Sequence, residues 1–186
     1  MILTIVSIGP GDPALLNEKS IETIRQAGML FLRTGRHPFV KWLEQQRIPF
    51  FTMDDLYESS DDFEALSHAV AAKLWKAAGS KENTVYAVSD TMTDHTVDEI
   101  FSLRPENARI RMIPGFSFAD YYLPACRIYF PTSDVRICPA SSFIGSGYDP
   151  SRPLLITELN DSLTLHSLRP TTSNILNPRN MDSRHQ

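Results

Sequence analysis

The chain contains no apolar run approaching the ~20 residues that span a bilayer as a helix, so no membrane association is expected. It lacks an N-terminal stretch with a charged n-region and a small-residue cleavage site, so no secretory leader is expected. It has only two cysteines, Cys126 and Cys138. They are too far apart for a C-x-x-C motif and too few for a zinc site, and both are expected to be free thiols in a reducing cytoplasm. The five histidines are scattered with no H-x-x-x-H spacing, so no metal site is expected. There is no long basic run, and the formal net charge is −4. A dedicated nucleic-acid binder would carry a basic stripe, so no nucleic-acid partner is expected. What remains is an ordinary globular composition in 186 residues, enough for one domain or one domain and part of another.

The most informative stretch is the start. An apolar, β-branched run, residues 2–8, ends abruptly in Gly9-Pro10-Gly11-Asp12-Pro13, and a helical pattern follows. A strand, a tight glycine turn and a helix N-terminus in that order form the entrance to a ligand site in open α/β sheets.

Further along, Asn17 is placed to cap a helix carrying Ile21, Ile24 and Ala27 on one face and stopped by Gly28. A second strand is expected over 29–32. A short helix begins at Pro38, with Phe39, Val40 and Leu43 inward, and a brief strand lies near 50–52. Asp61 with Glu64 reads as a cap and its third-position acid. Phe63, Leu66, Val70, Leu74 and Ala77 recur every three or four residues, the best amphipathic helix in the chain. A fourth strand over 84–88, a short helix with Val97, Ile100 and Phe101 inward, and a fifth strand over 110–113 complete the pattern. Strand and helix alternate five times, which predicts an α/β fold: a three-layer α/β/α domain around a mostly parallel five-stranded sheet.

After Leu123 the texture changes. Strand-like runs at 135–138 and 154–157 predict part of a second α/β domain. From Leu165 the sequence is polar and irregular and is expected to be disordered. The expected divisions are therefore 1–123, 124–164 and 165–186.

Gly9-Pro10-Gly11-Asp12-Pro13-Ala14 satisfies the loose dinucleotide pattern G-x-G-x-x-G/A. Two residues speak against a pyrophosphate there. Asp12 would repel it, and Arg33 stands after the second strand, where an acid should hold the ribose. Arg33 would suit a 2′-phosphate, which leaves an NADP-dependent enzyme open. A turn that binds nothing is the bland alternative.

The opening segment, with Leu15-Leu16 and a helix ending Gln26-Ala27, resembles the tetrapyrrole methylases, the S-adenosylmethionine-dependent enzymes of corrin and sirohaem synthesis. Leu30-Phe31-Leu32-Arg33-Thr34 with His37-Pro38, Asp54-Asp55-Leu56-Tyr57-Glu58 and Val85-Tyr86-Ala87-Val88 resemble the subgroup fused to MazG-type nucleotide pyrophosphohydrolases. Ile113-Pro114-Gly115-Phe116-Ser117-Phe118 resembles the family's Pro-Gly-x-Ser segment, and the run 154–161 its second-domain strand. The resemblance implies a two-domain homodimer with S-adenosylmethionine in the cleft between domains, and a small-molecule methyl acceptor, a tetrapyrrole by family name. Carried over position by position, it nominates Pro10, Ser89, Asp90, Thr91, Ser117 and Phe118 for the cofactor. Gly9, Gly11, Asp12, Arg33 and His37 are nominated for the substrate cleft. It names no catalytic residue; methyl transfer from a sulfonium relies on positioning more than on acid–base groups.

Three departures stand beside the resemblance. The segment Ser89-Asp90-Thr91-Met92-Thr93-Asp94-His95 has no glycine or proline where the family has a Gly-Asp-Pro or Gly-His-Pro turn. Arg33 replaces the acid that sirohaem-type members carry after the second strand. The second domain is expected to end early, near Leu165, where the polar sequence begins. These keep a second reading open, a non-catalytic binding module on the same fold.

Other residues have plain readings. Asp54, Asp55, Glu58, Asp61 and Asp62 read as a solvated loop with a helix cap, against a metal site. His37 reads as a turn residue, against a polar role in the cleft. Tyr121 and Tyr122 are expected at the domain junction, against stacking on a planar ligand. Trp42 and Trp75 read as core or interface.

Overall fold

The computed structural model describes residues 1–60, 62–80, 82–128, 134–143 and 152–157. The chain divides into two units, Met1–Tyr122 and Leu123–Gln186.

The first unit is a three-layer α/β/α fold. Its sheet contains β1 (Ile2–Ser7), β2 (Met29–Leu32), β3 (Phe51–Thr52), β4 (Thr84–Val88) and β5 (Arg109–Ile113). All pair in parallel in the order β3-β2-β4-β1-β5. Alternate residues serve opposite faces, as a pleated strand requires. Val6, Leu30, Leu32, Val85 and Ala87 pack against α1 (Glu18–Arg25) and α2 (Val40–Gln45) through Ile24, Phe39 and Leu43. Leu3, Ile5, Phe31, Tyr86 and Val88 form the other face. They pack against α4 (Phe63–Ala78) and α5 (His95–Ser102) through Leu66, Val70, Leu74, Val97 and Ile100. All of β4 is buried, which is why it reads as a continuous apolar run. Trp75 is part of this core and donates its indole N–H to the Ile100 carbonyl at 3.0 Å.

The topology creates one reversal. From β1 the chain passes over β4 to β2 by way of α1, on one face. From β4 it passes over β1 to β5 by way of α5, on the other. The C-terminal ends of the neighbours β1 and β4 are therefore a topological switch point, where open α/β sheets leave a crevice for ligands.

Several local expectations are corrected. The acidic segment expected as a loop is helical: α3 spans Asp54–Ser59, with Asp54 and Asp55 in its first turn, where the helix dipole favours acids. The cap of α4 is Asp62, not Asp61; the Asp62 carboxylate accepts from the Ala65 N–H at 2.7 Å. Phe101, expected inward, is 47% exposed; Thr96, Val97 and Ile100 are the residues of α5 that are buried. β5 begins one residue early, at Arg109. A further helix, α6, spans Phe118–Ala125, and Tyr121 and Tyr122 on it are 48% and 46% exposed.

In the second unit β6 (Arg136–Pro139) and β7 (Leu154–Thr157) pair in parallel, with the short α7 (Ala140–Phe143) between them in sequence. Cys138, Ala140 and Phe143 form a small core, supported by Leu154 and Ile156. Asp61, the end of the 154–161 run and the 165–186 tail lie outside the described residues.

Candidate functional site

Three segments meet at the switch point, and the buried Ser7 at the end of β1 joins two of them. Its hydroxyl donates to the Ser89 carbonyl at 3.1 Å, which ties β1 to the loop after β4. On its other side lies Gly115. A Cβ there would come within 2.9 Å of the Ser7 Cβ and 3.1 Å of the Ser7 carbonyl oxygen, so only glycine lets the Pro114-Gly115 turn approach β1 this closely. The third segment is the glycine turn. Gly9 has φ +62 and lies against the Phe116 carbonyl; Gly11 has φ +111, and a Cβ on it would meet the Pro38 ring at 2.8 Å. The turn is thus packed from one side by the segment after β5 and from another by the segment after β2.

Each nominated residue has a definite local role. The Asp12 carboxylate accepts from the Ala14 N–H at 2.9 Å and caps a single 3-10 turn, Pro13–Leu15. Pro10 is half-buried and Gly9 and Gly11 are buried. Asp90 is buried, and its carboxylate accepts from the Met92 N–H at 2.9 Å. Thr91 is also buried, while Met92 beside it is 83% exposed. Ser117 caps α6 reciprocally with Asp120. The Ser117 hydroxyl accepts from the Asp120 N–H at 3.1 Å, and the Asp120 carboxylate accepts from the Ser117 N–H at 3.0 Å. The Phe118 ring stacks on Tyr122, with centroids 6.2 Å apart.

His37 and Arg33 are both held in place. The Phe39 N–H donates to His37 Nδ1 at 3.3 Å, and the ring also bonds the Gly9 backbone. Burial pushes the imidazole below its ordinary pKa; the bond to Gly9 works against that shift without overcoming it. Arg33 Nη1 donates to Asp94 Oδ2 at 3.0 Å, its Nε donates to the Tyr57 hydroxyl, and its guanidinium lies over the Tyr57 ring. Burial works against the Arg33 charge, but Asp94, Tyr57 and Tyr86 more than compensate, and its pKa rises. Burial also pushes the Tyr86 phenol well above its ordinary value, and the Asp94 carboxylate adds to this.

Residues 2–137 match the sequence profile of the tetrapyrrole (corrin/porphyrin) methylases. The chain belongs to the tetrapyrrole methylase family. A curated relative, the uncharacterized protein YabN of Bacillus subtilis (strain 168), is 27% identical over 172 residues. The match covers 91% of this chain but 35% of that protein, so the chain spans about a third of the relative's length. Similar solved structures include a putative cobalamin synthesis related protein (CobF) from Corynebacterium diphtheriae. It has a TM-score of 0.59 at 14% identity, over 91% of this chain and 76% of that one. A diphthine synthase has a TM-score of 0.57 at 13% identity, over 94% and 73%. The precorrin-6Y methylase (cbiE) of Archaeoglobus fulgidus has a TM-score of 0.53 at 15% identity, over 75% and 63%. At such identities the likeness is one of fold.

In this tetrapyrrole methylase unit, the structure brings Gly9, Pro10, Ser89 and the 115–117 segment to one edge of the sheet. It draws Arg33 away toward Asp94. Three residues outside the sequence-based nominations are central: Ser7, Asn17 and Asp94. Asp94 had a legible signal, an acid immediately before a helical pattern. Ser7 is the one hydroxyl at the end of an apolar strand, and nothing in the sequence shows what it faces. Among the described residues no group of three or more His, Cys, Asp or Glu is arranged to hold a metal, and no helix is long and apolar enough to cross a membrane.

Proposed function

We propose that this chain binds S-adenosylmethionine at the crevice between the ends of β1 and β4 and belongs to a methyltransferase acting on a small tetrapyrrole-type molecule. One observation carries the reading: Ser7 joins the loop after β4 to the Pro-Gly-Phe-Ser segment, and that segment in turn packs against the glycine turn through Phe116 and Gly9. The chemistry lining this edge suits a cofactor without phosphates. Asp12 places a carboxylate at the turn, and Arg33, the cation that would have answered a 2′-phosphate, is engaged by Asp94. Both features weigh against the NADP alternative. The backbone around Gly9 and Pro10, Ser89 and the Ser117 hydroxyl would hold the adenosine and amino-acid parts. When bound, S-adenosylmethionine supplies an electrophilic methyl on a sulfonium. The chain's own task is to fix the ligand's orientation; rigid positioning of reacting groups can contribute several kcal/mol.

A specific observation favours a second reading, a non-catalytic binding module. Asp90 and Thr91 turn buried side chains into the loop where the family resemblance expects glycine and proline. Calorimetric titration with S-adenosylmethionine and S-adenosylhomocysteine separates the two. Weak but measurable binding, without methyl transfer by the chain alone, is the expected result. No binding by a folded chain overturns the cofactor reading in favour of the module.

The finer placement, in the subgroup fused to MazG-type pyrophosphohydrolases, draws support from the motifs at 30–34, 54–58 and 85–88 and from the greater length of the Bacillus relative. A cytoplasmic homodimer belongs to the same proposal. Strands β6 and β7 pair with each other in parallel, and strand addition by a second copy at this sheet is the contact that would support it. Light scattering that shows only monomer at tens of micromolar overturns the dimer.

A further inference from the structure

We propose that the Arg33–Asp94 pair is a clamp that sets the conformation of the loop between β4 and α5, and through it the affinity of the crevice at the switch point. The consequence for affinity rests on the cofactor reading above; the clamp itself does not.

The loop is closed at several points. At its start the Ser89 carbonyl is held by Ser7. Inside it, Asp90 accepts from Met92 N–H through its carboxylate and from Asp94 N–H through its carbonyl, at 2.9 and 3.2 Å. At its end Asp94 faces two ways. Oδ1 accepts from the Thr96 N–H at 2.9 Å and caps α5; Oδ2 takes Arg33 at 3.0 Å. Arg33 leaves the end of β2, the other neighbour of β4, so this contact straps the loop to an adjacent strand. Tyr57 from α3 fixes the guanidinium by a hydrogen bond and by its ring. The Asp94 side chain is 3% exposed and that of Arg33 17%. A buried ion pair of this kind is seldom more stabilising than a well-packed apolar pair, because both charges lose their hydration. Its distinctive contribution here is geometric. It allows one approach of the loop to β2, with a planar fork that a point charge does not reproduce.

The double variant Arg33→Met/Asp94→Ser removes both charges and keeps a residue that caps helices well. Each single change leaves one buried charge without its partner and is expected to destabilise. The double variant is expected to recover most of the urea midpoint. If the pair is a clamp, the recovered variant still exchanges the Met92 amide at least tenfold faster than the parent and binds S-adenosylhomocysteine at least tenfold more weakly. Stability that returns while loop protection and affinity do not is a result that a purely structural pair cannot produce. Exchange and affinity equal to the parent overturn the clamp. If the parent binds no S-adenosylhomocysteine, the cofactor reading fails, and the exchange comparison alone decides the clamp. Should the double variant not fold, Arg33→Lys replaces it. A lysine keeps the charge but puts all its donors on one flexible nitrogen and loses the planar fork that Arg33 sets between Asp94 and Tyr57, so Met92 exchange several-fold above the parent is expected, and parental exchange overturns the proposal.

Discussion

Asn17 Nδ2 donates to the Pro114 carbonyl at 2.8 Å, while Asn17 Oδ1 accepts from the Ser20 N–H at 2.8 Å. One side chain therefore caps α1 and ties its start to the turn after β5, across 97 positions of sequence. Asn17→Ser keeps a capping oxygen and loses the tether; Asn17→Ala loses both. The alanine variant is expected to lose about 1 kcal/mol more than the serine variant in urea unfolding, the usual cost of a lost cap. Equal losses would show that the cap does not contribute.

The two glycines of the first turn differ in what they tolerate. Gly9 sits near the left-handed helical region with its nearest neighbour at 3.3 Å, so Gly9→Ala is expected to cost about 1–2 kcal/mol. Gly11, at φ +111 with the Pro38 ring 2.8 Å from any Cβ, adds overpacking to strain, and Gly11→Ala is expected to cost about 3 kcal/mol. Urea midpoints measure both, and the reverse order would mean that the Pro38 segment yields.

Ser117→Ala removes one half of the reciprocal cap on α6. The expected loss is about 1 kcal/mol of stability with no ligand present, most of it restored in Ser117→Asn, since asparagine caps equally well. A Ser117→Ala chain as stable as the parent would free the hydroxyl for a role in ligand binding alone.

His37 makes the turn sensitive to acid. Its pKa is lower in the folded chain, so below the ordinary histidine value of about 6.5 the unfolded chain takes up a proton that the folded chain resists. Stability therefore falls as pH drops through that range and levels off once folded His37 is itself protonated. His37→Asn, which can still accept from the Phe39 N–H, is expected to flatten the change in urea midpoint between about pH 7 and 5. Asp54 acts in a separate, lower window. Burial raises its pKa, but hydrogen bonds from Thr34, Gly35 and Thr52 and the nearby Arg36 more than offset this. The stability it contributes is present at neutral pH and is lost only on acidification below the ordinary aspartate value of about 3.9. An unchanged midpoint profile in His37→Asn would remove the histidine from the acid response.

Much of the fold was legible. β2 coincides with its apolar run and β4 with its own run, Val85–Val88, extended by Thr84, because strands buried on both faces are close to continuously apolar. Asn17 was readable as a cap because a side-chain acceptor before a helical pattern has a local meaning. α3 was hidden by its acids, which resemble a solvated loop until the helix dipole is considered. α6 was hidden by Pro124 within it, although Ser117 and Asp120 already stood at capping-box spacing.

The sequence alone determined the alternation of strand and helix, the parallel sheet and the kinship with tetrapyrrole methylases. All three rest on periodicities and short motifs that local chemistry imposes. Only the tertiary structure decided which distant groups meet. Arg33 answers Asp94 across 61 positions, and Ser7 answers Ser89 across 82. These pairs exist because the strand order sets β4 between β2 and β1. A charge or a hydroxyl is visible in a sequence, but its partner is fixed by distance in space, and that distance follows from how the whole sheet assembles.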